Sequence, residues 1–276
     1  MSILSDKTSS PPILDSLYET DSIDEFCRGK FYLVQPKKDA HKAGLDAMLL
    51  ASCVPTDFSG KIADFGSGAG AAALAVLIRC QNTSAYLVEN SQIMINYAKK
   101  TLNLKANYHL NKRATIIEAD ITKPGKERAA SQLLDNSFDF IIMNPPYNNP
   151  SSNQSIYKLR SVAHVKTDNL FELWLKTAAS CLKAKGKIAL IAKSCSLSEI
   201  LKAFGKRFGA ITIYPIYPHK EADTLRLIFI AQKNSRTSTI IKPPIYIRCK
   251  NNQNKLELTE QINKISNGLC SIYEQA

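Results

Sequence analysis

The stretch that decides the fold is KIADFGSGAG, which runs from Lys61 to Gly70. Its first half is a short apolar run typical of a buried strand, and Ala71–Arg79 after it favours a helix. A strand, a glycine-rich turn and a helix form the fingerprint of a nucleotide-type ligand site, because glycines let the backbone approach a ligand and the helix start offers free N–H groups. The glycine pattern alone suits NAD, FAD or S-adenosylmethionine, or only a tight turn.

Acidic residues accompany this strand and the next two predicted strands. The next strand ends in Glu89, 23 residues after Gly66, and the following one, Ala114–Glu118, is succeeded by Asp120. A carboxylate at Glu89 can accept hydrogen bonds from both hydroxyls of a ribose, and Asp120 can accept from an adenine amine. Asp120 is alternatively a helix cap. Asp64, directly before the glycines, has either a cofactor-side role or caps the turn amides.

A second motif, NPPY from Asn144 to Tyr147, ends the apolar run Phe138–Met143. Proline has no N–H for a sheet, so the strand must stop at Asn144, at the edge where open α/β sheets bind ligands. An amide, a free proline carbonyl and an aromatic face would hold a planar group carrying an NH2, although Tyr147 can also be a packing aromatic. The candidate catalytic residues are Asn144, Pro145, Pro146 and Tyr147.

Together these motifs resemble the class I S-adenosylmethionine-dependent methyltransferases, in the branch that methylates exocyclic or amide nitrogen. The resemblance implies an α/β fold with a Rossmann-like class I methyltransferase sheet, mostly parallel with an antiparallel closing strand. It also implies S-adenosylmethionine as the cofactor. The cofactor-binding residues that it carries over are Asp64, Gly66, Ser67, Gly68, Gly70, Glu89, Asn90 and Asp120.

The segment before the glycines looks like the entry of the bacterial valine-tRNA (adenine-N6) methyltransferases, over roughly residues 24–250. Their pattern has a Gln, a Gly-His-Arg and an Asp that opens a Leu-Leu helix. Here Gln35, Lys42 and Asp46 hold those places, with Ala40 for the Gly. The resemblance therefore adds these three residues to the cofactor site. Replacing Arg by Lys loses a planar fork of donors, and Asp46 can equally be a helix cap or first-turn acid.

The resemblance implies methylation of the exocyclic N6 of an adenine in tRNA, the adenine 3′ of the anticodon of a valine tRNA. Three alternatives stay open: a protein glutamine N5-methyltransferase, a ribosomal RNA guanine-N2 methyltransferase, and a catalytically silent RNA-binding module. Known glutamine-modifying enzymes resemble a larger helical domain before the glycines, whereas about 60 residues precede them here. The intact NPPY argues against the silent module.

The charge of the chain favours a nucleic acid partner. The formal net charge is +12, and residues 1–26 contain one Lys and six acids, so the remainder carries +17. Such a surplus favours a polyanion, here tRNA, through counterion release, and the alternative is a solvated basic surface. Basic residues that flank the expected site are Lys37, Lys38, His41, Lys42, Lys158, Arg160 and Lys166.

Length and composition predict one globular unit of 276 residues. We expect a flexible segment at 1–22, a methyltransferase domain at 23–250 and a helical extension at 251–276. No apolar run approaches the ~20 residues of a membrane helix, and no secretory signal is visible, so a cytoplasmic location without a membrane partner is expected. Seven cysteines without CxxC spacing and four scattered histidines predict free, mostly buried thiols and no metal site.

Hydrophobic periodicity predicts the remaining elements. Trp174 is assigned to the core, and Ile93, Met94, Tyr97 and Ala98 to one face of a helix. The elements are a hairpin over Glu25–Gln35, helices at Leu45–Cys53, Ser91–Leu104, Glu127–Leu134, Leu170–Lys183, Ser196–Phe208 and Leu258–Ile265, and strands at Lys187–Ala192, Ile211–Tyr217, Leu225–Gln232 and Ile245–Arg248.

Overall fold

A twisted sheet with helices on both faces organises the computed structural model, which describes residues 21–37, 44–146, 169–251 and 253–274. The strands are β1 (Asp21–Phe26), β2 (Phe31–Pro36), β3 (Gly60–Phe65), β4 (Thr83–Glu89), β5 (Ala114–Glu118), β6 (Phe138–Met143), β7 (Leu182–Lys193), β8 (Phe208–Tyr217), β9 (Arg226–Lys233), β10 (Ile240–Ile241), β11 (Ile245–Tyr246), β12 (Arg248–Lys250) and β13 (Leu256–Leu258). The helices are α1 (Leu45–Ser52), α2 (Ala71–Arg79), α3 (Gln92–Asn103), α4 (Tyr108–Asn111), α5 (Gly125–Ala130), α6 (Leu170–Cys181), α7 (Leu197–Phe204) and α8 (Glu260–Ser266).

The sheet order is β10-β8-β9-β7-β6-β3-β4-β5, and β11 also pairs with β8. The pairs β5–β4, β4–β3, β3–β6 and β6–β7 are parallel, while β9 is antiparallel to both β7 and β8. The mostly parallel sheet with an antiparallel closing strand is thus confirmed. The chain leaves β3 toward β4 on one side and returns to β6 on the other, so the topological switch point lies between β3 and β6.

Strand residues alternate between two apolar layers. On β6, Phe140 and Ile142 join the layer that contains α1, α2 and α8, whereas Ile141 and Met143 join the layer that contains α6 and α7. Because both faces are covered, these strands consist almost entirely of buried apolar residues. Trp174 on α6 is 7% exposed, which confirms its assignment to the core.

The β1–β2 hairpin lies outside the main sheet and is bonded to α3 and the residues after it. Val34 N donates to Thr101 Oγ1 at 3.0 Å, and Tyr32 N donates to Asn107 Oδ1 at 2.9 Å. The carboxylate of Asp21 is buried and accepts from Lys100 Nζ at 2.6 Å. The predicted hairpin is confirmed, and these contacts hold it against α3.

Residues after β11 pack against α1. Strands β12 and β13 form an antiparallel hairpin whose six residues are all exposed, and the domain boundary expected after residue 250 falls between them. Further on, Ile272 N donates to Ser52 O at 2.9 Å and Tyr273 Oη donates to Cys53 O at 2.9 Å. This tail therefore closes over the loop between α1 and β3.

Several predicted elements have different limits in the structure, among them the helix expected at Glu127–Leu134, which spans Gly125–Ala130. The helix expected to reach Phe208 ends at Phe204, because Gly205 takes a left-handed φ of +52° and Phe208 begins β8. The strand expected at Lys187–Ala192 spans Leu182–Lys193, and a register irregularity opposite Phe138 and Phe140 accommodates its polar start.

The predicted face of α3 is confirmed at Met94, Tyr97 and Ala98, which pack against the core, and it is wrong at Ile93. Ile93 is 50% exposed, whereas the buried residues are Ile95, Ala98, Thr101 and Leu102. Contacts of α3 with β2 and β5 set this rotation, and they are not visible in the local pattern.

The cysteines are free, as predicted. Five are buried, and Cys195 and Cys249 are exposed. Among the described residues, no helix is long and apolar enough to cross a membrane, and no group of three or more metal-ligating side chains is found.

Candidate active site at the carboxyl edge

Three predicted site residues lie at one level of the sheet edge. Phe65 is paired with Val88 on β4 and with Met143 on β6. The next residue on each strand is therefore Gly66, Glu89 or Asn144, side by side at the carboxyl edge. The structure thus brings the glycine turn, the acid that ends β4 and the first residues of the NPPY motif, Asn144 to Pro146, together at the switch point, where open α/β sheets bind ligands.

The glycine turn is held by main-chain bonds and by its lack of side chains. Gly66 N donates to Val88 O at 2.9 Å, and Gly66, Gly68 and Gly70 have φ of +71°, +57° and +99°. A Cβ on Gly66 would lie 2.8 Å from Trp174 Cη2, and one on Gly70 would lie 2.6 Å from a methyl carbon of buried Leu87. Glycine is therefore required at both positions for conformation and for space.

Ser67 in this turn has a buried hydroxyl without a hydrogen-bond partner in the described part of the chain. Buried polar atoms normally have partners, so an orphaned hydroxyl in a glycine turn is expected where a ligand supplies the missing bond.

Asp64 is 3% exposed, and its Oδ2 accepts from Ala73 N in the first turn of α2 at 3.2 Å. Burial raises the pKa of Asp64 to about 7, with the amide of Ala73 opposing the shift and the charge of Glu89 adding to it. Asp64 therefore caps an amide of the first turn of α2, whereas the sequence suggested a cofactor-side role or a cap of the turn amides.

Glu89 organises the backbone around the turn. Its Oε2 accepts from Gly68 N at 2.9 Å, and its Oε1 accepts from Asn90 N at 3.0 Å and Ser91 N at 2.9 Å. A carboxylate has about four acceptor positions, so three amide bonds leave capacity for one more donor. Glu89 thus ties the turn to the start of α3 and retains a lone pair for a ligand.

A cavity of about 320 Å³ opens where β4 and β5 end. Asn90 and Asp120 both line it, together with Glu118, Ala119, Lys123, Glu127, Arg128 and Ser131. Asp120 Oδ1 accepts from Thr122 N at 2.9 Å and from Thr122 Oγ1 at 2.6 Å. Asp120 therefore caps the following turn and also faces a space in which a ring could lie.

The double-proline corner follows β6 directly. Asn144 is half-buried, Pro145 is buried and Pro146 is half-buried, and no residue from 144 to 146 continues the strand, as predicted. The corner thus places an amide and a proline carbonyl at the edge, next to the glycine turn. Tyr147 lies outside the described residues.

The upstream candidates are divided between two places. Asp46 is in the first turn of α1, and its Oδ2 accepts from Arg226 Nε at the start of β9 at 2.9 Å. Gln35 is 3% exposed, and its Nε2 donates to Asp24 Oδ2 at 2.7 Å within the β1–β2 hairpin. Lys42 lies outside the described residues, as do all the predicted flanking basic residues except Lys37.

Sequence reasoning missed two contributors to this edge. Arg226 is 180 positions from Asp46, so no local pattern could have paired them. Trp174 was recognised as core, but its support of Gly66 depends on the packing of α6 under the turn.

Comparison with known proteins identifies similar chains. A family model described as methyltransferase small domain matches residues 41–214. A tRNA1(Val) (adenine(37)-N6)-methyltransferase from Pasteurella multocida is 27% identical over 166 residues, which are 59% of this chain and 65% of that protein. The chain thus spans just under two thirds of the length of this curated relative.

Solved structures show the same architecture. A predicted O-methyltransferase from Agrobacterium tumefaciens matches with a TM-score of 0.70 and 33% identity, covering 82% of this chain and 97% of that chain. A 16S rRNA guanine-N2 methyltransferase from Thermus thermophilus, solved with AdoMet and guanosine, matches with a TM-score of 0.52 and 17% identity over 80% of this chain and 52% of that chain. The second similarity concerns the fold alone.

Proposed function

Because the chain belongs to the methyltransferase small domain family, we propose that it transfers a methyl group from S-adenosylmethionine to the exocyclic N6 of an adenine in tRNA. The proposal rests on one observation: Gly66, Glu89 and Asn144 lie side by side at the carboxyl ends of neighbouring strands. A methyl donor held by the first two would lie beside an amine held by the third.

The carboxyl edge fits S-adenosylmethionine on three grounds. Gly66 and Gly70 have no room for a side chain, Ser67 Oγ lacks a partner in the described part of the chain, and the cavity beside Asn90 and Asp120 can hold a ring. When bound, the cofactor supplies an electrophilic methyl group. The residues that would hold it are Asp64, Gly66, Ser67, Gly68, Gly70, Glu89, Asn90 and Asp120. The assignment of Gln35, Lys42 and Asp46 to the cofactor site stays a prediction.

The double-proline corner would orient the acceptor nitrogen. The lone pair of an adenine amine is delocalised into the ring, so the free amine is a weak nucleophile. Asn144 Oδ1 and the Pro145 carbonyl would each accept one N6 hydrogen, which directs the lone pair toward the donor. Tyr147 would stack on the base, an interaction worth roughly 1–3 kcal/mol. The amine proton becomes acidic as the new bond forms, so it can leave without a strong base.

Support for an RNA substrate comes from charge and from relatives. The chain has a formal net charge of +12, and curated relatives at 27–28% identity are named tRNA1(Val) (adenine(37)-N6)-methyltransferases. An adenine beside the anticodon is already single-stranded, so little unpairing free energy opposes its entry into a pocket.

An oxygen acceptor is the competing chemistry, because the Agrobacterium protein is named a predicted O-methyltransferase. The two differ in their product. We expect purified chain, S-adenosylmethionine and unmodified tRNA to give N6-methyladenosine in a nucleoside digest analysed by mass spectrometry. A ribose-methylated nucleoside, or a methylated protein glutamine with unmodified RNA, would overturn the assignment.

The variant Asn144→Ala tests the role of the corner. We expect turnover to fall about 100-fold or more, because an orienting acceptor is lost, while the cofactor Kd measured by calorimetry changes little. Asn103→Ala, at an exposed position on α3, is the matched control and should keep full activity. Unchanged turnover in Asn144→Ala would contradict the mechanism.

A further inference from the structure

The amino edge of the sheet, opposite the candidate active site, carries a row of cations across β3, β6, β7, β9 and β8. In the register, Lys187 faces Gln232, and Phe208 faces Lys233, so the start of β7 and β8 and the end of β9 meet here. Asn234 N donates to Arg207 O at 2.9 Å, which brings the flanking turns together. We call this row the basic edge; it consists of Lys61, Lys183, Lys185, Lys187, Lys206, Arg207, Lys233 and Arg236.

Three carboxylates beside the basic edge are already engaged. Asp139 accepts from Lys183 Nζ at 2.8 Å and from Lys61 N at 2.9 Å. Glu172 is paired with Arg207, and Asp135 accepts from Arg128 at 3.4 Å.

Five exposed cations of the row form no ion pair within the described ranges of the chain. They are Lys61, whose Nζ lies over the Tyr86 ring, and Lys185, Lys187, Lys206 and Arg236. Uncompensated like charges this close together repel one another, and an external polyanion would relieve that repulsion.

The dimensions of the row suit an extended anion. Strands lie about 4.8 Å apart, so the five strands from β3 to β8 span roughly 19 Å along the edge. Strand β6 has six residues, and at about 3.3 Å per residue the basic edge lies roughly 20 Å from the double-proline corner. A ligand that reaches both edges must therefore extend well beyond its reacting group.

The composition of the row favours a double-helical backbone over a single strand. Proteins that bind single strands interleave basic residues with aromatic side chains on which bases stack. Within the described ranges, Lys61 is the one cation of the row found over an aromatic ring, 5.9 Å from the centre of half-buried Tyr86. A row of Lys and Arg with a single half-buried ring favours contacts to phosphates, and phosphate contacts carry no sequence information.

We propose that the basic edge binds the phosphate backbone of a stem of the RNA substrate, remote from the base that enters the active site. This proposal rests on the proposed function, because it takes the substrate to be RNA. In this proposal, the amino edge provides affinity for the body of the RNA, and the carboxyl edge selects the base.

The test compares two triple variants of equal net charge. Lys185→Gln, Lys187→Gln and Lys206→Gln neutralise the basic edge. Exposed Lys99, Lys105 and Lys112, near the β5 end of the sheet, are changed to Gln in the control. Binding of full-length tRNA is measured without cofactor across a range of salt concentrations. We expect only the basic-edge triple to raise Kd, by roughly tenfold or more, and to reduce the slope of log K against log salt by about 3.

A short single-stranded oligonucleotide containing the target adenine should bind both triples and the unchanged chain equally. Equal losses in the two triples, or equal losses for short and long RNA, would overturn the proposal. So would a loss of binding to anionic phospholipid vesicles with RNA affinity unchanged. If the unchanged chain methylates RNA and the basic-edge triple binds RNA with normal affinity, only the proposed docking surface is wrong. If the unchanged chain binds no RNA, the proposed RNA substrate is wrong as well.

Discussion

Asp64→Asn should remove a pH dependence of stability that the buried carboxyl creates. The pKa of Asp64 is raised from 3.8 to about 7, mainly by burial. Between these values the native chain keeps a proton that the unfolded chain has released. The free energy of unfolding therefore falls as pH rises through this window, and it is constant, as far as this group is concerned, below pH 3.8 and above pH 7.

The magnitude follows from the shift of about three pH units. At about 1.4 kcal/mol per unit, the carboxyl lowers stability by about 4 kcal/mol between pH 4 and pH 7. This is a large share of the 5–15 kcal/mol typical of a folded domain. Asparagine has nearly the same shape, can still accept from Ala73 N with its amide oxygen, and does not titrate.

Urea unfolding of both proteins at pH 4.5, 6 and 8 measures the effect, since other titrating groups cancel in the difference between them. We expect the variant to gain stability relative to the unchanged chain with rising pH, by about 3 kcal/mol between pH 4.5 and pH 8. A difference independent of pH would mean that Asp64 ionises normally, and the argument from burial would be wrong.

Three further outcomes are expected. Gly70→Ala should lower the free energy of unfolding by about 2–4 kcal/mol, because it strains a φ of +99° and overlaps Leu87. The control Gly125→Ala, whose new methyl group meets only the end of Arg128, should change that free energy by less than about 1 kcal/mol. Similar values for the two variants would contradict the steric reasoning. A double-mutant cycle of Asp46→Asn and Arg226→Met, measured by urea unfolding, should give a coupling free energy of about 1 kcal/mol or less, because the two side chains are 27% and 16% exposed. A coupling free energy above about 3 kcal/mol would refute that estimate. Titration with S-adenosylhomocysteine should change the fluorescence of Trp174, the single tryptophan, since its ring lies against the glycine turn, and a constant spectrum at saturation would place the ligand elsewhere.

Local patterns were sufficient for the elements that build the carboxyl edge. A strand that ends in glycines, a strand that ends in Glu89 and a strand stopped by two prolines each carry their signal within about ten residues. Because parallel strands present the same end to one edge, the three signals also predict their own proximity. The strand register places Gly66, Glu89 and Asn144 side by side, which agrees with that expectation.

Contacts between distant segments could not be predicted in this way. Nothing near Asp46 indicates Arg226, and nothing in Lys185 or Lys206 indicates that the two lie along one edge. The rotation of α3 likewise depends on β2, which reaches it through Thr101. These features arise from the packing of whole elements, and a single sequence carries no periodic signal for them.

The contact between residues 271–274 and the loop before β3 has a consequence for the order of folding. Tyr273 and Cys53 are 220 positions apart, and Thr56 and Glu274 are 218 apart. Bonds of such long range form only after the intervening polypeptide has been ordered, and topologies rich in them fold slowly. During synthesis, the loop before β3 therefore stays unclosed until residues 271–274 have been made and packed, and a chain truncated before residue 271 would lack these bonds.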